Sequence, residues 1–457
     1  MNHPNPHPAP DSAVQPGGAS QWQIATLGTA RLDSPLKPLI EARERSENYV
    51  DESDLVLVDD VLSTACERGV PVEQLPGLEP GGPRRKIFFD PSKLRAAIVT
   101  CGGLCPGLNN VVRGVVDELW WQYGVRRIHG IRNGYEGFIA SYGHEVLDLT
   151  PASVRGIDEQ GGTVLGTSRG QQDPEEVVDC LERLGIGVLF VVGGDGSMRG
   201  ALRIASVVAE RGLKISVVGI PKTIDNDIPF IDHSFGFQTA FARAAETIRS
   251  VVVEARSTPH GVGLVKLMGR HSGFIAAYAA LARNDADFVL VPEVPFGLDD
   301  DADGRPGLLS LVQQRVAERG NAIVVVAEGA GQDLVPGEGV DASGNAVLGD
   351  VGRYLRRRLL DSFAEAGRPV NLRYVDPSYA IRSVPANGYD AVFCLRLAHA
   401  AVHAAMAGRT AMVVGRWHGR FVHVPTELAI SRRNVVDPHG DLWLSVLEAT
   451  GQPPRIG

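Results

Sequence analysis

The chain has 457 residues, of which 44% are hydrophobic and 22% charged, and its formal net charge is -9. A chain of this length and balance buries a full core and favours two or more domains. It contains no run of 18 apolar residues and no block of basic residues, so we expect neither a membrane partner nor a nucleic-acid partner.

The N-terminal part differs in composition from the rest of the chain. Residues 1 to about 20 are rich in Pro, Gly, His and Ser, and we expect them to be disordered. They lack the basic and apolar segments of a signal peptide, which favours a cytoplasmic protein. The pattern stays mixed up to residue 93 and includes the turn "LPGLEPGGPRR". Residues 1–93 are therefore interpreted as an N-terminal extension.

From Leu94 onward, apolar runs alternate with helical patterns. The first block contains "LRAAIVT", "GVLFVVGG" and "KISVVGI", and each run predicts a buried strand. A long helix is predicted over 238–256, and a second block with "GVGLVKL" and "NAIVVVA" follows. This alternation predicts an α/β fold of two doubly wound domains whose mostly parallel sheets face each other across a cleft.

Three glycine-rich turns follow strands of the first block, at residues 100–110, 161–170 and 191–200. Glycine lets backbone amides approach a phosphate, and a helix that begins directly afterwards adds the positive end of its dipole. None of the turns is a Walker A motif or a dinucleotide-binding motif. One such turn is usually only a tight connection, but three in one sheet favour a polyphosphate site.

The stretch "GIPKTIDNDIP" places Lys222, Thr223, Asp225 and Asp227 at the end of a predicted strand, where open α/β sheets bind ligands. Asp195, in "GGDGS", follows another strand and could either hold Mg²⁺ or cap the next helix. Three aspartates in one pocket favour metal binding or proton transfer. One carboxylate would take a proton, the others would hold magnesium, and the lysine would meet phosphate.

The second block carries a further set of polar residues. They are Arg270 in "KLMGRHSG", Glu328 in "VAEGAG", and Arg373, Tyr379 and Arg382 in "LRYVDPSYAIRS". A guanidinium group can bind phosphate with two parallel hydrogen bonds. For Arg373 and Arg382 taken alone, however, a surface salt bridge is the simpler interpretation.

These motifs occur in the order in which the 6-phosphofructokinases have them, and the sequence resembles that family over roughly 94–441. The resemblance implies phosphoryl transfer to the C1 hydroxyl of fructose 6-phosphate, with Mg²⁺ as cofactor and a dimer or tetramer as the assembly. It implies a nucleotide-binding domain of residues 94–238 plus about 383–425. It also implies a fructose 6-phosphate-binding domain of residues 239–382 plus about 426–457.

The resemblance also implies roles for individual residues. Asp225 matches the family's catalytic base, with Arg270, Thr223 and Lys222 beside it, and Asp195 matches the magnesium ligand. The residues implied to bind ATP are Gly103, Arg169, Gly170, Asp195, Gly196 and Ser197. Those implied to bind fructose 6-phosphate are Thr223, Asp225, Asp227, Met268, Gly269, Arg270, Glu328, Arg373, Tyr379 and Arg382.

At two positions the sequence departs from the short bacterial members. Gly261 stands where they donate an arginine across the subunit interface, and a glycine cannot replace it. Tyr379 stands where they have a histidine, although a phenol can still donate a hydrogen bond to phosphate. Both departures resemble the longer branch found in plants, trypanosomatids and some bacteria. We therefore do not expect the allosteric sites of the short enzymes.

Two residues bear on the identity of the phosphoryl donor, and they favour different donors. Gly196 leaves room for a nucleotide where the pyrophosphate-dependent branch has a second aspartate, whereas Lys222 is the residue that this branch uses before its threonine. The combination resembles the ATP-dependent long branch, so we expect ATP. Pyrophosphate is the first alternative and a non-catalytic regulatory subunit that binds sugar phosphate is the second. A lipid or NAD kinase would not need "MGR", Glu328 and the paired arginines.

Overall fold

The computed structural model describes residues 19–38, 49–61, 71, 75–335, 337, 339 and 346–457. The disorder expected for residues 1 to about 20 falls mainly on residues 1–18, which lie outside the described residues. Within the described ranges, every helix is too short or too polar to cross a bilayer.

The described residues form strands of two to seven residues and helices of up to 20 residues. The strands are β1 (Ala25–Thr26), β2 (Leu32–Asp33), β3 (Val56–Leu57), β4 (Gly77–Pro80), β5 (Lys86–Ile87), β6 (Arg95–Thr100), β7 (Arg127–Ile131), β8 (Val146–Asp148), β9 (Val188–Gly193), β10 (Ser216–Pro221), β11 (Gly261–Leu267), β12 (Phe288–Leu290), β13 (Asn321–Ala327), β14 (Asn371–Val375), β15 (Arg409–Thr410), β16 (Met412–Trp417) and β17 (Arg420–Pro425). The α-helices are α1 (Leu108–Asp117), α2 (Pro174–Leu184), α3 (Asp195–Glu210), α4 (Phe237–Arg256), α5 (Phe274–Arg283), α6 (Leu308–Arg319), α7 (Val351–Glu365), α8 (Gly388–Met406), α9 (Thr426–Ala429) and α10 (Asp441–Thr450). Shorter turns are the 3₁₀-helices Ala19–Trp22, Gly134–Phe138, Ala140–Tyr142, Ile157–Glu159 and Ser378–Ile381, and the π-helix Glu118–Tyr123.

The larger sheet has nine strands in the order β3-β4-β17-β16-β10-β9-β6-β7-β8. The five strands from β16 to β7 are parallel, and the strands at both edges run antiparallel to their neighbours. All six residues of β9 and all six of β10 are buried, because helices cover both faces of the sheet. The extension contributes β4, which pairs with β17.

The smaller sheet has four parallel strands in the order β12-β13-β11-β14. Its side chains alternate between two hydrophobic clusters, as the period of two along a strand requires. Val265 and Val325 pack on the side of α4 and α5, whereas Leu264 and Val324 pack on the side of α6 and α7. The predicted α/β fold with mostly parallel sheets is thus confirmed.

The loops that follow the strands of the two sheets meet. The Ser272 hydroxyl, in the loop after β11, donates a 2.8 Å hydrogen bond to the backbone oxygen of Asp225, in the loop after β10. The carboxyl ends of parallel strands from both sheets therefore line one cleft, which is where a ligand site is expected in such sheets.

Candidate active site

Lys222 joins two of the predicted loops. It directly follows β10, is 5% exposed, and its Nζ donates to the Gly103 carbonyl oxygen at 2.6 Å. Burial lowers the pKa of its amine, while the nearby Cys105 and Cys101 thiols oppose that effect. This buried cation therefore lies directly beneath the glycine-rich turn that follows β6.

The three glycine-rich turns also contact one another. The Thr167 hydroxyl donates to the Gly102 carbonyl oxygen at 2.7 Å, and the Gly102 amide donates to the Ser168 carbonyl oxygen at 3.0 Å. Gly102 has a φ of 81°, and a Cβ there would lie 3.9 Å from both Ser197 Oγ and Lys222 Nζ. Backbone amides and a buried ammonium group thus converge, as a polyphosphate site requires. Arg169 and Gly170 lie next to this point and are exposed.

Asp225 is held by a network of short-range hydrogen bonds. Its amide donates to Thr223 Oγ1 at 3.1 Å, and the same hydroxyl donates to Asp227 Oδ1 at 2.9 Å. The Oδ1 atom of Asp225 is buried and accepts no hydrogen bond from any described residue. The backbone is thereby fixed while one carboxylate oxygen stays available for a proton.

The surroundings of Asp225 disfavour its ionised form. Burial, followed by the negative charges of Asp227 and Glu328, raises its pKa from 3.8 to about 7, against the opposing positive charges of Arg382 and Arg433. A general base is most effective when its pKa lies near the working pH. The carboxylate is therefore tuned for proton transfer near neutrality.

Asp195 is the first residue of α3 and belongs to the third glycine-rich turn. Its side chain is 30% exposed and pairs with Arg199 Nη2 at 3.1 Å, one helical turn later. Gly196 is exposed, and a Cβ built on it would meet no atom within 4 Å. The Gln171 side-chain amide donates to the Gly196 carbonyl oxygen at 3.1 Å. The space beside Gly196 is therefore open, as predicted for a nucleotide.

The other side of the cleft is formed by the loops after β11 and β13. A Cβ at Gly269, whose φ is 131°, would overlap the Ser272 carbonyl oxygen, so this turn needs a glycine. The Gly269 carbonyl oxygen accepts from the Gly329 amide at 3.0 Å, which places Met268 and Arg270 beside Glu328. Burial raises the pKa of Glu328, and the charges of Lys266 and Arg270 oppose it.

Arg382 and Arg373 occupy different places. Arg382 Nη1 lies 3.5 Å from where a Cβ of Gly103 would be, and its guanidinium group stacks 4.9 Å from the ring centroid of Tyr379, which is 69% exposed. Arg373 is in the middle of β14, level with Gly263, about 13 Å before the end of β11. Arg373 is paired with Glu254 at 3.7 Å. The structure thus brings Arg382 to the site but not Arg373 of the same chain.

A family model described as "Phosphofructokinase" matches residues 95–405, more than half of the chain. The chain belongs to the phosphofructokinase family. The resemblance inferred from the motif order is thereby confirmed.

Phosphofructokinases from several organisms are similar over most of the chain. A protein named "ATP-dependent 6-phosphofructokinase" from Amycolatopsis methanolica is 56% identical over 443 residues, which cover 95% of this chain and 95% of that protein. One of the same name from Trypanosoma cruzi is 43% identical over 88% of this chain and 83% of that protein. "ATP-dependent 6-phosphofructokinase 7" from Arabidopsis thaliana is 46% identical over 82% and 77%. The predicted likeness to the plant and trypanosomatid branch is also confirmed.

Solved phosphofructokinase structures share the fold. The pyrophosphate-dependent enzyme from Marinobacter aquaeolei matches with a TM-score of 0.64 and 23% identity, covering 80% of this chain and 92% of that one. The T-state enzyme from Pichia pastoris matches with a TM-score of 0.61 and 24% identity, covering 78% of this chain but only 37% of that one. At these identities the matches show the fold alone.

The phosphofructokinase cleft also contains residues that the sequence did not indicate. Arg433 Nη1 pairs with Asp227 Oδ2 at 3.1 Å, and the Asn434 amide donates to the Asp227 carbonyl oxygen at 2.8 Å. Arg199 covers Asp195 in the same way. The only local signal for Arg433 is a pair of arginines in a loop, which is more often a solvated surface.

Gly261 is explained by its surroundings. A Cβ at this position would overlap the backbone oxygen of Ala255, at the end of α4. No residue with a side chain fits there without movement of the helix. This phosphofructokinase therefore cannot place an arginine at position 261.

The family generally uses Mg²⁺, and the donor set on this chain fits that ion. Within the described ranges no group of three or more His, Cys, Asp or Glu side chains could hold a metal. Mg²⁺ does not need such a cage, because it keeps several waters and uses one or two carboxylates plus substrate phosphates. Asp195 offers one partly exposed carboxylate beside the open space at Gly196.

Proposed function

We propose that the chain transfers the terminal phosphoryl group of Mg-ATP to the C1 hydroxyl of D-fructose 6-phosphate, giving fructose 1,6-bisphosphate and ADP. The observation that carries this proposal is the position of Asp225. The Asp225 carboxyl group has a pKa of about 7, and its Oδ1 atom is buried. Asp225 lies on the loop that joins the glycine-rich turns to the loops bearing Arg270 and Glu328. Relatives named as ATP-dependent 6-phosphofructokinases at 44–56% identity over most of the chain support it.

The chemistry needs positioning and charge balance more than covalent participation. Asp225 Oδ1 accepts the proton of the attacking hydroxyl. Arg270, Arg169 and Lys222 balance negative charge on the transferring group, and the backbone amides of the glycine-rich turns bind the donor phosphates. Magnesium, held by Asp195 and the donor phosphates, would supply further neutralisation of that charge.

On the sugar side, Glu328 accepts hydrogen bonds from sugar hydroxyls and Arg382 binds the 6-phosphate. Tyr379 stacks on Arg382 and can donate its phenolic hydrogen to the same phosphate. Thr223, Met268 and Gly269 shape the backbone around the reacting hydroxyl. Arg373 can bind the 6-phosphate only in the cleft of a neighbouring subunit, because it lies away from the cleft of its own chain.

ATP is favoured over pyrophosphate by the open space at Gly196. Pyrophosphate stays the second candidate, because Lys222 is buried against Gly103, at the floor of the phosphate site. A compact donor would place its second phosphate close to that ammonium group. The two candidates therefore differ in whether the space beyond Gly196 is used.

We also propose self-association as a dimer or tetramer, supported by exposed apolar side chains on α8 and on the 3₁₀-helix before it. These are Tyr379, Tyr389, Val392 and Leu395. Two sheet-based domains with the boundaries given above, and a cytoplasmic location, remain predictions from the sequence.

The test is product formation from fructose 6-phosphate and Mg²⁺, with ATP or pyrophosphate as donor, for the wild type, Asp225→Asn and the exposed-site control Asp303→Asn. We expect activity with ATP, a loss of about 10²- to 10⁴-fold in kcat for Asp225→Asn, and no change for Asp303→Asn. Activity with pyrophosphate alone would favour the second candidate. Inactivity of the wild type with both donors would refute the proposed function.

A further inference from the structure

Glu293 carries a carboxyl group that the proposed reaction does not use. It lies in the turn after β12, and its Oε1 atom accepts two backbone hydrogen bonds, from the Gly273 amide at 2.9 Å and from the Val436 amide at 2.8 Å. Its Oε2 atom is buried and has no hydrogen-bond partner among the described residues. Burial raises the pKa of this carboxyl group, and the two amides oppose that effect. A carboxyl group is costly to bury, so its two backbone hydrogen bonds are the contacts that explain its place.

The Gly273 amide connects Glu293 to one side of Asp225. Gly273 directly precedes α5 and ends the loop after β11 that carries Arg270. The residue before it, Ser272, donates its hydroxyl to the Asp225 carbonyl oxygen at 2.8 Å. A carboxylate at the start of a helix is also favoured by the helix dipole. Glu293 therefore fixes the start of α5 and, through Ser272, the backbone on which Asp225 lies.

The Val436 amide connects Glu293 to the other side of the same aspartate loop. Val436 is buried in the larger hydrophobic core, so its backbone is well fixed. Two residues earlier, the Asn434 amide donates to the Asp227 carbonyl oxygen at 2.8 Å. Arg433, next to it, pairs through Nη1 with Asp227 Oδ2 at 3.1 Å. Glu293 therefore anchors the short segment that brings a cation to the aspartates.

We propose that Glu293 is a positioning residue of the cleft, which holds the loop bearing Arg433 against the loop that supports Asp225 by binding one amide from each. A single oxygen that accepts both amides sets the distance between the two loops, because neither hydrogen bond can lengthen far without being lost. Glu293 acts through these loops and not on the reacting atoms. The proposal rests on the proposed function, since its effect on catalysis passes through Asp225.

The effect on catalysis can be measured through the proton affinity of Asp225. Arg433 lowers the pKa of Asp225, so displacement of Arg433 raises that pKa and moves the acid limb of kcat/KM to higher pH. The other charged or titratable groups that act on Asp225 are Asp227, Glu328, Arg382, Lys222 and Cys105. Among these groups only Arg433 lies on a loop that Glu293 binds, so a shifted limb reports its displacement.

The kinetic experiment compares the wild type with Glu293→Met, Glu293→Gln and the control Glu318→Met, which makes the same change at an exposed carboxylate. Methionine keeps the length of the side chain but is a poor acceptor, whereas the glutamine oxygen can accept both amides. We expect Glu293→Met to lower kcat about 10-fold and to move the acid limb to the same higher pH as Arg433→Gln. Glu293→Gln and Glu318→Met should keep the acid limb of the wild type.

A double-variant cycle separates positioning from a general loss of structure. If Glu293 acts through Arg433, then Glu293→Met adds no further shift of the acid limb in the Arg433→Gln background. A smaller fraction of folded molecules would lower kcat without moving the limb. An unmoved limb in Glu293→Met, or a further shift in the double variant, would overturn the proposal. Should Glu293→Met fail to fold, Glu293→Asp, which withdraws the carboxylate by about 1.5 Å, takes its place in the cycle.

Hydrogen–deuterium exchange tests the two contacts without substrate. In Glu293→Met, we expect segments 268–274 and 431–437 to exchange at least about fivefold faster than in the wild type, while α6 is unchanged. In Glu293→Gln, both segments should exchange as in the wild type. Unchanged exchange of either segment in Glu293→Met would overturn the link between the loops. A wild type inactive on fructose 6-phosphate would count against the proposed function, while exchange would still decide whether Glu293 holds the two loops.

Discussion

Replacing Asp225 with Asn should stabilise the protein, and the gain should depend on pH. Asp227 and Glu328 add negative charge to a carboxyl group that is already buried, and its pKa of about 7 remains high despite Arg382 and Arg433. Between the unfolded value of 3.8 and about 7, the native state binds more protons than the unfolded state. The contribution of this carboxyl group to stability is therefore fully present below about pH 4 and is lost as the pH rises from about 4 to about 7. At 1.36 kcal/mol per pH unit, the full loss is about 4 kcal/mol.

The measurement is urea unfolding at pH 5.5 and pH 8.0. Asp225→Asn removes the ionisable group, so its advantage over the wild type should grow from about 2 kcal/mol at pH 5.5 to about 4 kcal/mol at pH 8.0. The control Asp303→Asn should show no such trend. A stability advantage that is the same at both pH values would refute the idea that the folded state disfavours the ionised form of Asp225. Activity should change in the opposite sense, with wild-type kcat/KM rising as pH increases through about 7.

Three other substitutions test neighbouring parts of the cleft. Gly196→Asp brings a carboxylate close to the donor phosphates. Repulsion at about 4–5 Å costs about 3–4 kcal/mol at an effective dielectric constant of about 20, so kcat/KM for ATP should fall about 10²- to 10³-fold. Gly196→Asn fills the same space without charge, so its kcat/KM should fall far less. Arg433→Gln should lower kcat/KM about 2- to 5-fold. It should also move the acid limb of the pH profile of kcat/KM to higher pH, since Arg433 lowers the pKa of Asp225. An acid limb at the wild-type pH would show that Arg433 does not affect the pKa of Asp225. Lys222→Met should lower kcat about 10- to 100-fold, because it removes a charged hydrogen-bonding group. The melting temperature should not fall, because burial of the amine is unfavourable. Full kcat in this variant would mean that the ammonium group does not act on phosphate.

The regular elements of the sheets could be predicted because their signals are local. The apolar run at 214–220 became β10, Ser216–Pro221, and the helix predicted over 238–256 became α4, Phe237–Arg256. The place of β4 could not be predicted. Its four residues include a proline, and its partner β17 lies more than 300 residues away, with Pro80 level with Val422.

The residues of the site also divide into those that a local sequence signal predicts and those that only the folded chain brings together. Lys222 and Asp225 follow a strand directly, so their approach to the cleft is dictated by the end of that strand. Arg433 reaches Asp227 from a loop between α9 and α10 that has no periodic pattern, so only the folded chain brings them together. Arg373 shows the converse, because the resemblance to the family implies that it binds the 6-phosphate, while its place in mid-strand keeps it from the cleft of the same chain.

The positions of Arg433 and Gly261 together bear on how the cleft is neutralised. A side chain at position 261 is excluded by the backbone of α4, so positive charge cannot come from there. Arg433 instead pairs with Asp227 within the same chain and lowers the pKa of Asp225. Asp225, the proposed catalytic base, therefore has its pKa lowered by a cation from its own chain. Arg433 therefore contributes to the proton affinity of Asp225 within one chain, whereas Arg373 can contribute to binding of the sugar phosphate only across a subunit contact.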